Sequence, residues 1–268
     1  MKNGKNCNWV TQFLKLAVNL SIVTILLFSS QFALAKSINQ SQPTKLNLTD
    51  SCHPLITENK TQYIIGYGSL MERNSKGRIS PNMGISFPIR VKGFERGWMI
   101  HGSVYSQTTY LAVVNNKNMQ MNAVIFSVNE MEIKKIDKRE KGYCRVLVAP
   151  NQIKLLNGSI QSDAEIWIYA ISQDKAHIPT PDFPIVQSYV DIVIKGCLQI
   201  ERGFKLLGFA KECVTTTSNW SKYWINDRIF PRRPFIYEPK AAEIDKLLRG
   251  TVQSFFNQRV MPSIFRDK

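Results

Sequence analysis

The sequence predicts an α+β domain with a mixed, barrel-like β-sheet and flanking helices. Short apolar runs bounded by turn residues follow one another from Tyr63 onward, and helical patterns join them later in the chain. With 268 residues and 44% hydrophobic content, the chain can bury one ordinary core, and its length does not force a second.

The elements read as follows. "YIIGYG", beginning at Tyr63, is a strand running into a glycine-flanked turn. "FPIRVKGFERGWMIHG", Phe87 to Gly102, mixes aliphatic and aromatic residues with Gly93 and Gly97, as a bent or bulged strand does. "TYLAVVN" and "NAVIFSV" are separated by the polar "NKNMQM", which suggests a hairpin. "RVLVA" and "AEIWIYAI" add two more strands. In "NEMEIKKIDKRE", Asn129 and Glu132 form a capping-box pattern, with Ile133 and Ile136 on one helical face. "FPIVQSYVDIVIKGCLQI" sets Tyr189, Ile192 and Val193 at helical spacing against its β-branched content. "PKAAEIDKLLRGTVQSFFNQRV" is helical up to the Gly250 region, and the chain has no internal repeat.

The N-terminus has its own logic. Lys2, Lys5 and Lys15 precede an apolar run centred on "SIVTILLF", and Ala33 and Ala35 supply the small residues of a cleavage site. Residues 1–35 therefore read as a secretory signal peptide, and the protein as exported, periplasmic or secreted. The alternative is an uncleaved membrane anchor, since residues 16–35 approach the roughly 20 that a spanning helix needs. Asn19, Ser21, Thr24, Ser29, Ser30 and Gln31 dilute the run and favour cleavage. Residues 36–60 read as a polar linker, and residues 61–268 as the domain.

Export leaves Cys52, Cys144, Cys197 and Cys213, which can pair in three ways in an oxidising compartment. Cys197 and Cys213 are the favoured pair because they are close in sequence; buried free thiols are the alternative. Ligand spacing for zinc is absent, so no metal is expected.

The formal charge is +15; residues 1–35 hold three lysines and no acid, which leaves +12 on the rest. A weak attraction to anionic surfaces follows, or simply a solubilising surface. Nucleic acid is not an expected partner, because the basic residues are scattered and no recognition motif accompanies them.

Two short stretches carry chemistry. In "GYGSL", glycines after a strand let backbone N–H groups converge on an anion or a carbonyl oxygen, although most such turns are structural. It lacks the Lys-Ser/Thr of a phosphate loop and the spacing of a dinucleotide turn. In "IDKREKGYCRV", Glu140 ends a helix just before Gly142 and Tyr143, where partial desolvation raises a carboxyl toward acid-base use; in isolation a solvated Glu140 is the commoner case. Asp137 is a helix-end charge able to orient Arg139. His53, His101 and His177 lie in unrelated contexts and read as surface or structural. "NWSKYWINDRIFPRRP" concentrates aromatic residues and arginines, either as a surface for anionic groups or as a C-terminal wrap with Arg228 paired to a carboxylate; the wrap is favoured.

Together and in this order, the stretches resemble the γ-glutamylcyclotransferase superfamily, including its AIG2-like members. "YGSL" at Tyr67–Leu70, "DKREKGY" about seventy residues later, "VKGFERGW" and "SYVDIVIKGC" carry the likeness, which spans Tyr63 to Phe204 and leaves about 205–268 as a C-terminal extension. The resemblance implies that Tyr67, Gly68, Ser69 and Leu70 bind a small-molecule γ-glutamyl substrate. It makes Glu140 the catalytic acid/base and Tyr189 a further substrate-binding hydroxyl. The reaction implied releases 5-oxoproline and an amine, amino acid or peptide, without cofactor or metal. A secreted binding protein on the same fold, without turnover, is the rival; the acidic Glu140 beside an anion-binding loop argues against it.

Overall fold

The computed structural model describes residues 52–233 and 240–262. In chain order the elements are β1 (Gln62–Gly66), a 3-10 turn (Gly68–Met71), α1 (Arg73–Gly77), β2 (Phe87–His101), β3 (Thr109–Val128) and α2 (Glu130–Arg139). There follow β4 (Cys144–Leu147), β5 (Ile153–Leu155), β6 (Glu165–Ala170), β7 (Ile185–Val186) and α3 (Gln187–Phe204). The last are α4 (Phe209–Thr215), β8 (Thr217–Ser218), β9 (Trp224–Ile225), α5 (Ala241–Arg249) and α6 (Gln253–Asn257).

β1 is an interior strand because all five of its residues are buried. It lies antiparallel to β3 and parallel to β6 in a mixed seven-stranded sheet of order β4-β6-β1-β3-β2-β5, with β8 added beside β2. The period-2 alternation of side chains then divides the core. Ile64 joins Val124, Phe126 and Trp98 in the cluster that receives the helices, while Tyr63 and Ile65 join Ile89, Val91 and Ile125 in a second cluster. The described residues belong to one compact unit, an α+β domain with flanking helices.

The barrel-like sheet is an open one, and the single expectation of the fold to be corrected concerns β3. The sheet does not close into a barrel: β4 and β5 stand at its two ends and are not paired with each other. The expected hairpin is one 20-residue strand, β3, whose two halves both pair with β2. Its polar middle bulges outward where the register slips between Lys92 and Phe94, and Asn116 donates to Glu95 (2.8 Å). The polar residues are thus satisfied in a bulge, and the chain keeps its direction. The C-terminal pattern is helical up to Gly250 as expected: α5 ends at Arg249, and α6 follows as a separate short helix.

The bent strand and the helices at Asn129 and Tyr189 stand as expected. Asn129 and Glu132 make the complete capping box, and Ile133 and Ile136 are buried. Along α3, the face carrying Tyr189, Ile192 and Val193 is buried. Burial of that face outweighs the weak helix propensity of its β-branched residues.

Cys197 joins Cys213, tying α3 to α4, and Cys52 joins Cys144, tying the segment before β1 to β4. Arg96, fully buried on β2, fastens the same region by donating to Thr217, Asn122, Cys213 and Thr216. Burial lowers its pKa to about 10, so it remains a cation at neutral pH. The expected signal peptide, and the linker up to residue 51, lie outside the described residues. No helix among the described residues is long and apolar enough to cross a membrane.

Candidate active site

The end of β1 and the start of α3 define the site. After Gly66 the chain turns through Tyr67 into the 3-10 turn, with Gly68 at φ +65°, a left-handed conformation that a side chain would strain. In a 3-10 turn the first N–H groups are not used within the turn, so those of Gly68, Ser69 and Leu70 are not consumed by it. α3 approaches this turn closely because Gly196 has no side chain. A Cβ there would stand 2.7 Å from the Glu72 nitrogen and 2.9 Å from the Met71 carbonyl carbon.

Glu140 is brought to the turn by α2. Its N–H closes the helix on Ile136 O (2.8 Å), and its carbonyl accepts from Tyr143 N–H (2.9 Å), turning the chain into β4. The Tyr143 hydroxyl then donates to Leu111 O on β3 (2.9 Å), fixing the turn against the sheet. The Glu140 side chain is only 17% exposed, so the solvated alternative does not hold. Arg139 Nε lies 3.1 Å from its carboxylate, and Arg139 Nη2 donates to Ser69 Oγ (2.8 Å). One guanidinium therefore links the glutamate to the loop. Burial raises the Glu140 pKa, opposed by the charges of Arg139 and Arg233.

Tyr67, Ser69, Leu70, Glu140 and Tyr189 line one inner cavity of about 30 Å³ with Leu111, Tyr143 and Tyr169. Gly68 adjoins it through its backbone: a Cβ there would stand 3.4 Å from the Tyr189 hydroxyl. All six residues singled out in the sequence thus converge, although Glu140 and Tyr189 come from elements far from the loop in sequence. The cavity opens into a recess of about 460 Å³ that shares Ser69, Glu140, Tyr143 and Tyr189 and adds Ser103, Ser106, Tyr110, Arg139 and Arg233. The inner cavity holds about one water, so a ligand of amino-acid size must occupy the recess as well.

The tyrosines are structural as well as lining. Tyr67 donates to Tyr169 O (2.6 Å), and Tyr189 meets Trp98 and Tyr110 edge-on, with ring centroids 5.9 and 5.0 Å apart. Burial raises the Tyr67 and Tyr143 phenols well above their ordinary range and Tyr189 to about 12, so each stays a neutral donor across the physiological range.

Other side chains depart from their sequence readings. Asp137 does not orient Arg139; it accepts from Arg145 Nε (3.2 Å) and from the Tyr169 hydroxyl. The C-terminal segment does wrap, with Trp220 against Trp98 and Arg228 paired to Asp191 and Asp245. It also delivers Arg233 to the recess. Tyr110 and Tyr169 carried no individual signal, and Arg139 and Arg233 were visible only as charges beside Asp137 and within the C-terminal cluster, because strands and loops remote in sequence bring them to the site. Tyr143 was visible only inside the "REKGY" stretch. Among the described residues, no group of three or more His, Cys, Asp or Glu is placed to hold a metal ion.

An α+β domain with a buried, arginine-bridged carboxylate beside a glycine-rich turn is what fold and site define. No family model and no curated protein matches the chain. Among solved structures, a gamma-glutamyl cyclotransferase is similar at 14% identity, covering 57% of this chain and 86% of the other with a TM-score of 0.44. An uncharacterised human protein matches at 15% identity over 60% of this chain and 92% of its own, TM-score 0.43. A gamma-glutamyl cyclotransferase specific to glutathione from yeast matches at 10% identity over 59% and 97%, TM-score 0.36.

Proposed function

We propose that the protein is a γ-glutamylcyclotransferase-type enzyme that converts a γ-glutamyl amide or peptide to 5-oxoproline and a released amine or amino acid. The observation that carries this reading is the shared cavity. The Glu140 carboxylate, buried and raised in pKa, lines the same 30 Å³ space as the Tyr67–Leu70 turn and Tyr189.

The chemistry is an internal aminolysis. The substrate's α-nitrogen attacks its own γ-carbonyl carbon, the new C–N bond closes a five-membered ring, and the bond to the leaving nitrogen breaks. Nucleophile and electrophile share one molecule, so holding them in a near-attack geometry supplies much of the acceleration. The attacking nitrogen arrives as an ammonium with a pKa of about 7.7–8.0, and an ordinary carboxylate is a weak base toward it. A raised Glu140 narrows that gap, takes one proton from the attacking nitrogen and delivers it to the departing nitrogen; the attacking nitrogen loses its second proton as the lactam forms and the released amine takes one up, so no net proton is consumed. Turn N–H groups and the neutral Tyr189 hydroxyl are donors for the substrate's oxygens. Arg139 bridges Glu140 to Ser69 and keeps base and turn in register. Ser69 donates no nucleophile in this scheme.

An exported location belongs to the same proposal. Its support is the pairing of all four cysteines that follow residue 35 as two disulfides.

The test is mass-spectrometric detection of 5-oxoproline after incubating residues 36–268 with a panel of γ-glutamyl compounds, beside the Glu140→Gln variant. Product from the parent and a loss of about 10²–10⁴-fold in the variant is the expected result. A folded parent that binds γ-glutamyl compounds without product would instead establish the non-catalytic binding protein.

A further inference from the structure

The recess contains a cation that the proposed reaction does not use. Arg233 lines the outer recess and not the inner cavity. Its guanidinium lies over the rings of Tyr110 and Tyr189, 5.1 and 5.7 Å from their centroids, and Nη1 reaches the Tyr110 hydroxyl only at 3.3 Å. Its Nε is buried without a hydrogen-bond partner. The other arginines nearby are committed: Arg139 to Glu140 and Ser69, Arg228 to Asp191 and Asp245. Among the described residues, no carboxylate pairs with Arg233. A buried guanidinium nitrogen without an acceptor is costly and is expected to find one when a ligand enters.

This position is built into the fold. Asp227, almost fully buried, accepts from Ser188 N–H, Ser188 Oγ and Arg232 N–H, each at 2.7 Å. These bonds dock the segment before Arg233 onto the first turn of α3, one residue from Tyr189, and Arg233 N–H adds a bond to Ser188 Oγ (3.3 Å). The Tyr110 and Tyr189 rings then hold the guanidinium at the wall of the recess.

We propose that Arg233 is a specificity-determining residue that binds a carboxylate on the leaving group. The recess would accordingly favour γ-glutamyl amino acids or peptides over γ-glutamylamines. The inference rests on the cyclotransferase reading of the site. The glutamyl end of such a substrate enters past Glu140 toward the inner cavity, and the departing amine must exit through the recess, where Arg233 stands. Arg139 and Arg233 outnumber Glu140 by one positive charge, which matches a zwitterionic glutamyl group carrying one additional carboxylate.

The experiment compares γ-glutamylglycine with γ-glutamylglycinamide, which differ only in that carboxylate, on the parent, Arg233→Met and Arg233→Lys. The parent should prefer the acid by at least about tenfold in kcat/KM, mainly through KM, as one charge-assisted hydrogen-bonded pair provides. Arg233→Met should bring the acid-to-amide ratio of kcat/KM to about one, whatever common change both substrates share through the loss of a charge near Glu140, and Arg233→Lys should keep part of the preference. Equal losses on both substrates, or none, overturn the assignment. If the parent produces 5-oxoproline from neither, calorimetric binding of the same pair decides. Preferential binding of the acid that Arg233→Met abolishes retains the carboxylate site while the enzymatic reading fails. Equal or absent binding removes the carboxylate site as well.

Discussion

Glu140 illustrates how one side chain draws its chemistry from its surroundings. Burial holds its carboxyl above the ordinary 4.5, so a base role predicts an acid limb in kcat/KM above the usual carboxylate range, with activity lost as pH falls through the raised value. The same shift sets stability. The folded chain binds this proton more tightly than the unfolded chain, so stability is lost as pH rises from about 4.5 through the raised value. Glu140→Gln abolishes that dependence, and thermal melts across this window should fall less for the variant than for the parent. Tyr189 predicts a separate outcome. Its phenol has no hydrogen-bond partner among the described residues and stays neutral, so Tyr189→Phe removes one donor to substrate while leaving its contacts with Trp98 and Tyr110. Steady-state kinetics should show a loss of about tenfold, the worth of roughly 1.4 kcal/mol, with little change in melting temperature.

Among the elements, α3 bears most on the site, since its first turn carries Tyr189 and its middle supports the Gly68–Met71 turn. Gly196 permits that support. In Gly196→Ala the new methyl would meet backbone at 2.7 and 2.9 Å, which no side-chain rotation relieves. Overpacking of this kind costs about 1–3 kcal/mol. Chemical denaturation should show that loss, and kcat should fall too, because Tyr189 and the turn separate together. The β2–β3 pair teaches a different lesson about elements. Its polar middle read as a turn, yet the apolar halves on both sides find partners on the same neighbouring strand, so pairing continues across a bulge.

For the molecule as a whole, two disulfides close loops of very different length. Cys52 and Cys144 are 92 residues apart, and Cys197 and Cys213 only 16. Loop-closure entropy in the unfolded chain assigns about 4.7 kcal/mol to a loop of a hundred residues and about 3 kcal/mol to one of fifteen. Paired Cys→Ser replacement at 52 and 144 should therefore lower the denaturant midpoint more than replacement at 197 and 213. Equal midpoints would show that the longer loop is already constrained when unfolded. The Cys52–Cys144 bond also adjoins Tyr143, so its removal should weaken turnover as well as stability.

Local chemistry made much of this protein legible in its sequence: the strand into "GYGSL", the capping box at Asn129 and Glu132, the buried face of α3 and the helix break near Gly250. Each is governed by residues within a few positions of one another, where dihedral preference, capping and periodicity act directly. The shortlist of Tyr67, Gly68, Ser69, Leu70, Glu140 and Tyr189 depended on several motifs in order, and the fold gathers all six. Tertiary structure alone decided the rest. Whether the sheet closes depends on its two end strands meeting, which no strand's own pattern encodes. The continuity of β3 depends on what pairs beside it, and the environments of Glu140 and Arg233 depend on segments remote in sequence. Burial, charge pairing and desolvation are properties of neighbours in space, so the residues name the groups available for chemistry and packing determines their charge, reach and partners.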